Sequence, residues 1–219
     1  MKFYHDFSIL GLHVPQRDGI YPKNQAAKAP VLIGYLAFAI GKLRAKNVEP
    51  ITFSELFCAD AYYSFIARRL GVDECYAYDN DRDGHLEEAK FIQHLLSETN
   101  VHLKAQDVFD ISSEAKTSIV MNAGGLYHVS DPLSVLDKSY EICKSYLILQ
   151  SVVSLANEDE NYFETPAPGW DWGCRFSHAF LRKQIAKRGY RIIDKERNIL
   201  EGNLRPEDRG SSYFFLSRE

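Results

Sequence analysis

Between Gly41 and Gly71 the chain has no glycine at all, although thirteen are spread over its 219 residues. That gap excludes a plain glycine-rich nucleotide loop in its first half. Cysteine is sparse too: Cys58, Cys75, Cys143 and Cys174 form no C-x-x-C pair. A zinc cluster or a disulfide framework is thereby excluded, and a reducing, cytoplasmic setting fits best. No apolar run reaches the ~20 residues that a bilayer span needs. The longest, APVLIGYLAFAIG from Ala29 to Gly41, lies too deep in the chain for a signal peptide and runs into Lys42 and Arg44. It reads as a buried helix with Pro30 in its first turn, and no membrane partner is expected. Repeats and low-complexity segments are lacking, and the two tryptophans, Trp170 and Trp172, stand together in one loop.

What is present is a 45% apolar chain of formal charge −4, enough for one domain over residues 1–219 with a sizeable core. Charge is uneven: from Arg175 onward there are eleven Lys/Arg against six Asp/Glu. Such a basic final third can meet an anionic substrate or form a solvated face. Residues 51–57, 74–79, 100–107, 117–124 and 145–155 read as strands, the last fully buried. Residues 62–71, 85–98, 132–144 and about 177–188 read as helices. Two further strands, 188–194 and 211–217, close the chain without a clear helix between them. The alternation predicts an α/β, Rossmann-like sheet of seven mostly parallel strands, helices on both faces and an antiparallel last strand. Residues 1–50 are expected as a helical and loop cover, with 12–25 as loop. Residues 51–155 would form the core and 156–219 the substrate side.

In such sheets ligands sit beyond the carboxyl ends of the strands. After the first strand, Glu55-Leu56-Phe57-Cys58-Ala59-Asp60-Ala61 places small alanines where the second and third glycines of a nucleotide loop would stand, with Phe57 as the anomaly. Asp79, ending the second strand, can accept both hydroxyls of a ribose, although D-N-D-R-D-G is also good turn chemistry. The same run lacks the spacing and glutamate of a calcium loop, so no metal is expected. Asp107 and Val108 end the third strand, where they could hold the edge and face of an adenine. Asn122, Ala123 and two glycines end the fourth, followed by Tyr127 and His128, a neutral base near physiological pH.

The run G-G-L-Y-H-V-S-D-P, after an apolar strand and before a helix, resembles the fourth-strand motif of class I S-adenosylmethionine-dependent methyltransferases. It is most similar to the branch that contains the tRNA wobble-uridine carboxymethyltransferase. That branch has a first loop of the form acidic-apolar-Gly-Cys-x-x-Gly-aromatic-Tyr-Ser. E-L-F-C-A-D-A-Y-Y-S keeps the acid, the cysteine, the aromatic pair and the serine, and departs at the glycines. The resemblance covers about residues 51–155 and the closing strand pair. It implies S-adenosyl-L-methionine as cofactor, with Glu55 near the methionine amino group and Phe57, Ala59 and Ala61 along the backbone passage. It places Asp79 on the ribose, Asp107 and Val108 on the adenine, and Asn122 and Ala123 beside the methionine. Tyr127 and His128 would face the acceptor.

Outside the shared region, Trp170, Trp172, Arg175 and His178 make an aromatic-plus-cation cluster able to stack a planar ring and hold an anion, or to pack as a lid. The expectation is a methyltransferase acting on a small molecule. A tRNA-modifying enzyme and a non-catalytic binding module on the same fold are the alternatives, the net charge of −4 weighing against RNA.

Overall fold

The computed structural model describes residues 1–218. In chain order the elements are α1 (Ile20–Ala45), β1 (Thr52–Leu56), α2 (Tyr62–Arg69), β2 (Glu74–Asp79), α3 (Leu86–Leu96), β3 (Val101–Ala105), β4 (Thr117–Ala123), α4 (Pro132–Glu141) and β5 (Cys143–Val153). The two-residue strands β6 (Phe163–Glu164) and β7 (Arg175–Phe176) follow, then α5 (His178–Lys187), β8 (Arg191–Ile199) and β9 (Gly210–Ser217). Seven strands form one sheet in the order β3-β2-β1-β4-β5-β9-β8, while β6 and β7 make a separate ribbon. Strands β1 to β5 are parallel, and β9 runs antiparallel to both of its neighbours. This is the Rossmann-like sheet that the alternation of elements predicts.

Strand composition explains the two layers. Phe53 in β1, Met121 in β4, Ile148 in β5 and Phe215 in β9 point to one face, where Leu36 and Leu43 of α1, Phe65 of α2 and Ile92 of α3 cover them. Leu56, Val120, Leu147 and Phe214 point to the other, against Val135 and Leu136 of α4 and Phe180 and Ile185 of α5. Both faces being covered, β4 and β5 read as nearly continuous apolar runs. The chain order reverses between β1 and β4, so a crevice opens at their carboxyl ends.

Two expectations fail in the first fifty residues. The helix does not begin at Ala29 with Pro30 in its first turn; α1 spans 26 residues and carries Pro30 inside it. Correspondingly, 12–25 is loop only as far as Gly19. The added turns have no apolar pattern to announce them and are held by tertiary bonds. Asn198 donates to the Ala27 carbonyl at 2.8 Å, and the Asn24 and Asn203 amides meet at 3.0 Å. By length and composition α1 could cross a membrane; here it is not wholly buried, one face with Leu32, Leu36 and Leu43 being sealed against the fold while Phe38 on another stays exposed. A smaller difference is β8, which runs five residues beyond Asp194. Its mostly exposed, charged sequence is that of a guarded edge strand rather than a patterned inner one.

Candidate active site

The loop after β1 answers the missing glycines. Phe57, Ala59 and Ala61 all adopt left-handed backbone, with φ of 56°, 47° and 58°. Side-chain-bearing residues enter this region at a cost of about 1–2 kcal/mol each, which glycine avoids. The chain thus keeps the backbone path of a glycine loop without the residue that makes it easy. The αL turns carry the chain into α2 at the carboxyl end of β1, and the N–H groups of Cys58, Ala59 and Ala61 are held by the Tyr78 carbonyl, Asp79 and the Cys58 carbonyl.

The loop is bound down on every side. The Asp79 carboxylate accepts the Ala59 N–H at 3.0 Å and the Asp81 N–H at 2.8 Å, tying the first loop to the second. Glu55 is buried and turned to α2, accepting the Ser64 N–H at 2.7 Å and its hydroxyl at 2.6 Å. Burial drives its pKa up to about 8 in spite of the lowering pull of those bonds. Glu55, expected beside a methionine amino group, has its Oε2 engaged by the start of α2. Phe57 lays its half-buried ring on Gly125, where an added β-carbon would come within 2.1 Å of it. Asn122 is fully buried, donating to Ser139 Oγ at 3.1 Å and accepting the Gly125 N–H at 3.2 Å, so it sets the turn that ends β4. Ala123 ends that strand half-buried beside it. At the end of β3 the exposed Asp107 caps a short turn by accepting the Phe109 N–H at 2.9 Å, with Val108 buried beneath.

Sequence reasoning missed the N-terminal latch. His5 bonds Asp60 twice, Nδ1 to Oδ1 at 2.5 Å and N–H to Oδ2 at 2.8 Å, and its ring stacks on Tyr62 at 4.7 Å. Arg17 meanwhile pairs with Glu88 of α3. The first residues are thereby fastened over the loop, placing Tyr4 and Tyr21 at its mouth with their rings 4.9 Å apart. The available signal was Asp60 itself, an acid between two alanines that is now fully buried.

Past β4, Tyr127 and His128 sit under the tryptophan loop. Trp172 stacks on His128 at 5.2 Å with the planes 7° apart, and Trp170 follows at 5.1 Å. The Cys174 N–H donates to the Tyr127 carbonyl at 3.0 Å, and the same carbonyl would lie 2.5 Å from any β-carbon at Gly173. His128 is pushed down to about 4, first by burial and then by the charges of Arg82, Arg175 and Lys28, with Asp83 opposing. Tyr127 is pushed up to about 12 by burial, against the pull of Arg175. At neutral pH one is therefore an uncharged imidazole and the other an intact phenol.

Of the remaining members of the expected cluster, Arg175 stays beside Tyr127 with its charge paired, and His178 lies apart. Arg175 is not an open fork for an anion: it is buried, its Nε pairs with Asp208 at 2.5 Å, and its Nη1 donates to the Cys174 carbonyl. Its guanidinium also covers the Tyr127 ring at 5.2 Å. His178 starts α5, bonds Ser212 at 2.7 Å and faces a separate cavity of about 310 Å³ with Leu155 and Arg197. Three buried polar atoms near the strand ends, Tyr63 Oη, His128 Nδ1 and Gln150 Oε1, have no hydrogen-bond partner. Such orphans are uncommon in a finished core and mark places where a ligand or water would be received. Among the described residues no group of His, Cys, Asp and Glu is arranged to hold a metal ion.

No family model matches this chain, and no curated protein does. Solved structures do match. Magnesium protoporphyrin IX methyltransferase (ChlM) from Synechocystis PCC 6803, with bound SAM, superposes with a TM-score of 0.67 at 15% identity over 94% of this chain and 87% of that one. The N-terminal domain of EvdMO1, in the presence of SAH and D-fucose, gives 0.60 at 14% identity over 84% and 83%. The [4+2]-cyclase SpnF gives 0.59 at 11% identity over 76% and 74%. These likenesses establish the Rossmann-like methyltransferase fold, which the cyclase also has, so chemistry must be argued from the site.

Proposed function

We propose that this protein is an S-adenosylmethionine-dependent methyltransferase acting on a small-molecule acceptor. The observation that carries the reading is the left-handed backbone at Phe57, Ala59 and Ala61, maintained against its conformational cost at the topological switch point of the sheet. Functional sites are where such strain is retained. The residues present fit the cofactor. Asp79 would take the ribose hydroxyls on lone pairs not used by Ala59 and Asp81, and Val108 with Phe109 would face the adenine. The unpartnered Gln150 Oε1 and Tyr63 Oη would serve the polar methionine end. Phe57, its ring turned onto Gly125, would border that end rather than fill the passage.

The bound cofactor supplies an electrophilic methyl group on a sulfonium. The chain's own work is then alignment and exclusion of water. Trp172, Trp170 and the Tyr127–His128 turn would cover the reacting end. His128, neutral at all ordinary pH values, would orient the acceptor through its unpartnered Nδ1 and is a weak general base at most.

The tRNA wobble-uridine reading is the second one. It draws support from the fourth-strand motif and the basic final third of the sequence. Against it, Arg175, Lys183, Arg188 and Arg197 are paired with Asp208, Glu160, Asp137 and Glu158, leaving less free charge for phosphates. A screen of metabolites and bulk tRNA for methyl transfer from labelled S-adenosylmethionine tests both readings. Transfer to a small molecule is expected. Transfer to tRNA alone would select the second reading, and transfer to nothing together with absent cofactor binding would leave a non-catalytic module.

A further inference from the structure

The cavity of about 310 Å³ beside His178 is formed by the end of β5, the start of α5 and the β8–β9 pair, away from the loops after β1, β2 and β3. Its size falls within the range that small-molecule sites occupy. The methyl-transfer reading makes no use of it. Val153, Leu155, Ala179 and Ile199 line it with aliphatic side chains, and Leu155 and Ile199 are left 37% and 51% exposed. Aliphatic groups left open around a concavity, rather than scattered singly, mark a place for an apolar body.

The backbone dictates which charges surround that concavity. His178 bonds Ser212 through Nδ1 at 2.7 Å and stacks on Phe214 at 5.3 Å, the planes 13° apart. The β8 residues in register with Ser212 and Phe214 are Arg197 and Lys195, and antiparallel partners share a face of the sheet. Arg182 stands one turn on from His178 along α5, at the i, i+4 position. Three cations therefore gather around one imidazole by topology. Of these, only Arg197 has a carboxylate partner, Glu158 at 3.1 Å, in a pair more than half exposed. Arg182 and Lys195 have none among the described residues. Burial and then Arg197, Arg182 and Lys195 hold His178 below its usual pKa, opposed by Glu158, so the ring itself is neutral at pH 7.

We infer that this cavity is a second ligand site, separate from that of the methyl donor, and that it takes a small aliphatic anion. The ligand's chain lies on Val153, Leu155 and Ile199. Its carboxylate or phosphate turns toward Arg182, Lys195 and Arg197, three charges that face one acid. An apolar hollow alone would accept a neutral chain, and a basic face alone would accept any anion. The two together select molecules that carry both. No residue of the proposed cofactor site takes part, so the inference stands or falls independently of methyl transfer.

The probes are hexanoate, hexyl phosphate, the neutral hexanamide and the chainless acetate. Each is titrated into the full-length protein carrying isotope-labelled Ile, Leu and Val methyl groups, and followed by NMR. Saturable shifts are expected at Val153, Leu155 and Ile199. At least one of the two hexyl anions should bind about three- to tenfold more tightly than hexanamide, the range that two exposed charge contacts supply. The tighter anion identifies the charged group. Acetate should bind at least about tenfold more weakly than hexanoate, because the burial of the chain is lost. Arg182→Gln and Lys195→Gln combined, two exposed changes that break no pair, should cut the preference over hexanamide to less than about twofold, circular dichroism confirming the fold. Shifts that do not saturate or that fall elsewhere, hexanamide binding as tightly as both anions, or an undiminished preference in the double variant would overturn the inference. So would acetate binding as tightly as hexanoate, which would leave only a solvated basic face.

Discussion

Replacing Ala59 with glycine should make this protein more stable, although glycine is ordinarily a destabilising residue. Ala59 is held at φ 47°, a conformation that costs a side-chain-bearing residue about 1–2 kcal/mol. Glycine removes that cost but gains freedom in the unfolded chain, which offsets about 0.4–1 kcal/mol. The half-buried methyl contributes little packing, and the bond from the Ala59 N–H to Asp79 is untouched by the change. The net gain is about 0.5–1 kcal/mol, or roughly 1–4 °C in Tm for a chain of this length. The neighbouring positions provide controls of different sign. Ala61 is fully buried, and its lost methyl, worth about 0.8 kcal/mol, should cancel the relief. Phe57→Gly opens a void over Gly125 and should destabilise by about 1–2 kcal/mol, a fraction of what a fully buried phenylalanine costs. Urea denaturation of the three single variants, with unchanged m-values, would give the series. A lowered midpoint for Ala59→Gly would refute the claim that the loop is strained, and with it the argument from retained strain to a binding site. The triple glycine variant should fold and bind S-adenosylhomocysteine at least as well as the natural protein.

Asp79→Ala should weaken S-adenosylhomocysteine binding and also lower stability by about 1.5–3 kcal/mol, because two loop N–H groups lose a charged acceptor; unchanged values in calorimetry and denaturation would contradict its position. Arg175→Ala should unfold the protein or cost about 3–5 kcal/mol by stranding Asp208, whereas Trp172→Ala should slow methyl transfer and leave cofactor affinity within about twofold. Glu55 carries a carboxyl pKa raised to about 8 by burial, so its favourable contribution is complete below the ordinary carboxylate range and is lost as pH rises through 8. Glu55→Gln, which cannot ionise, should accordingly gain Tm relative to the natural protein at pH 9 more than at pH 5, and a parallel shift at both would refute burial as the cause. His128 is neutral above about pH 5, so no inflection between pH 6 and 8 in the turnover profile should vanish in His128→Ala.

The sheet was legible because β1, β2, β4 and β5 are short apolar runs bounded by turn residues, and their period does not depend on distant contacts. The first half of α1 was not, since its polar turns are fixed by Asn198, Asn203 and the N-terminal segment, partners that no local pattern encodes. In the site, the alanines at 59 and 61 pointed to the loop, but only the backbone angles show that it follows a glycine path. The fate of charged residues was the least legible. Nothing local announces that Arg175 is paired with Asp208 or that Glu55 accepts from Ser64.

The central claim is that a glycine-free loop still receives the cofactor, and calorimetric titration of S-adenosylhomocysteine into the natural protein tests it most directly. Saturable binding of one molecule per chain is predicted, weakened by Asp79→Ala and retained by the triple glycine variant. No binding up to about 1 mM, where binding free energy falls to roughly −4 kcal/mol, in a protein shown to be folded would contradict the account.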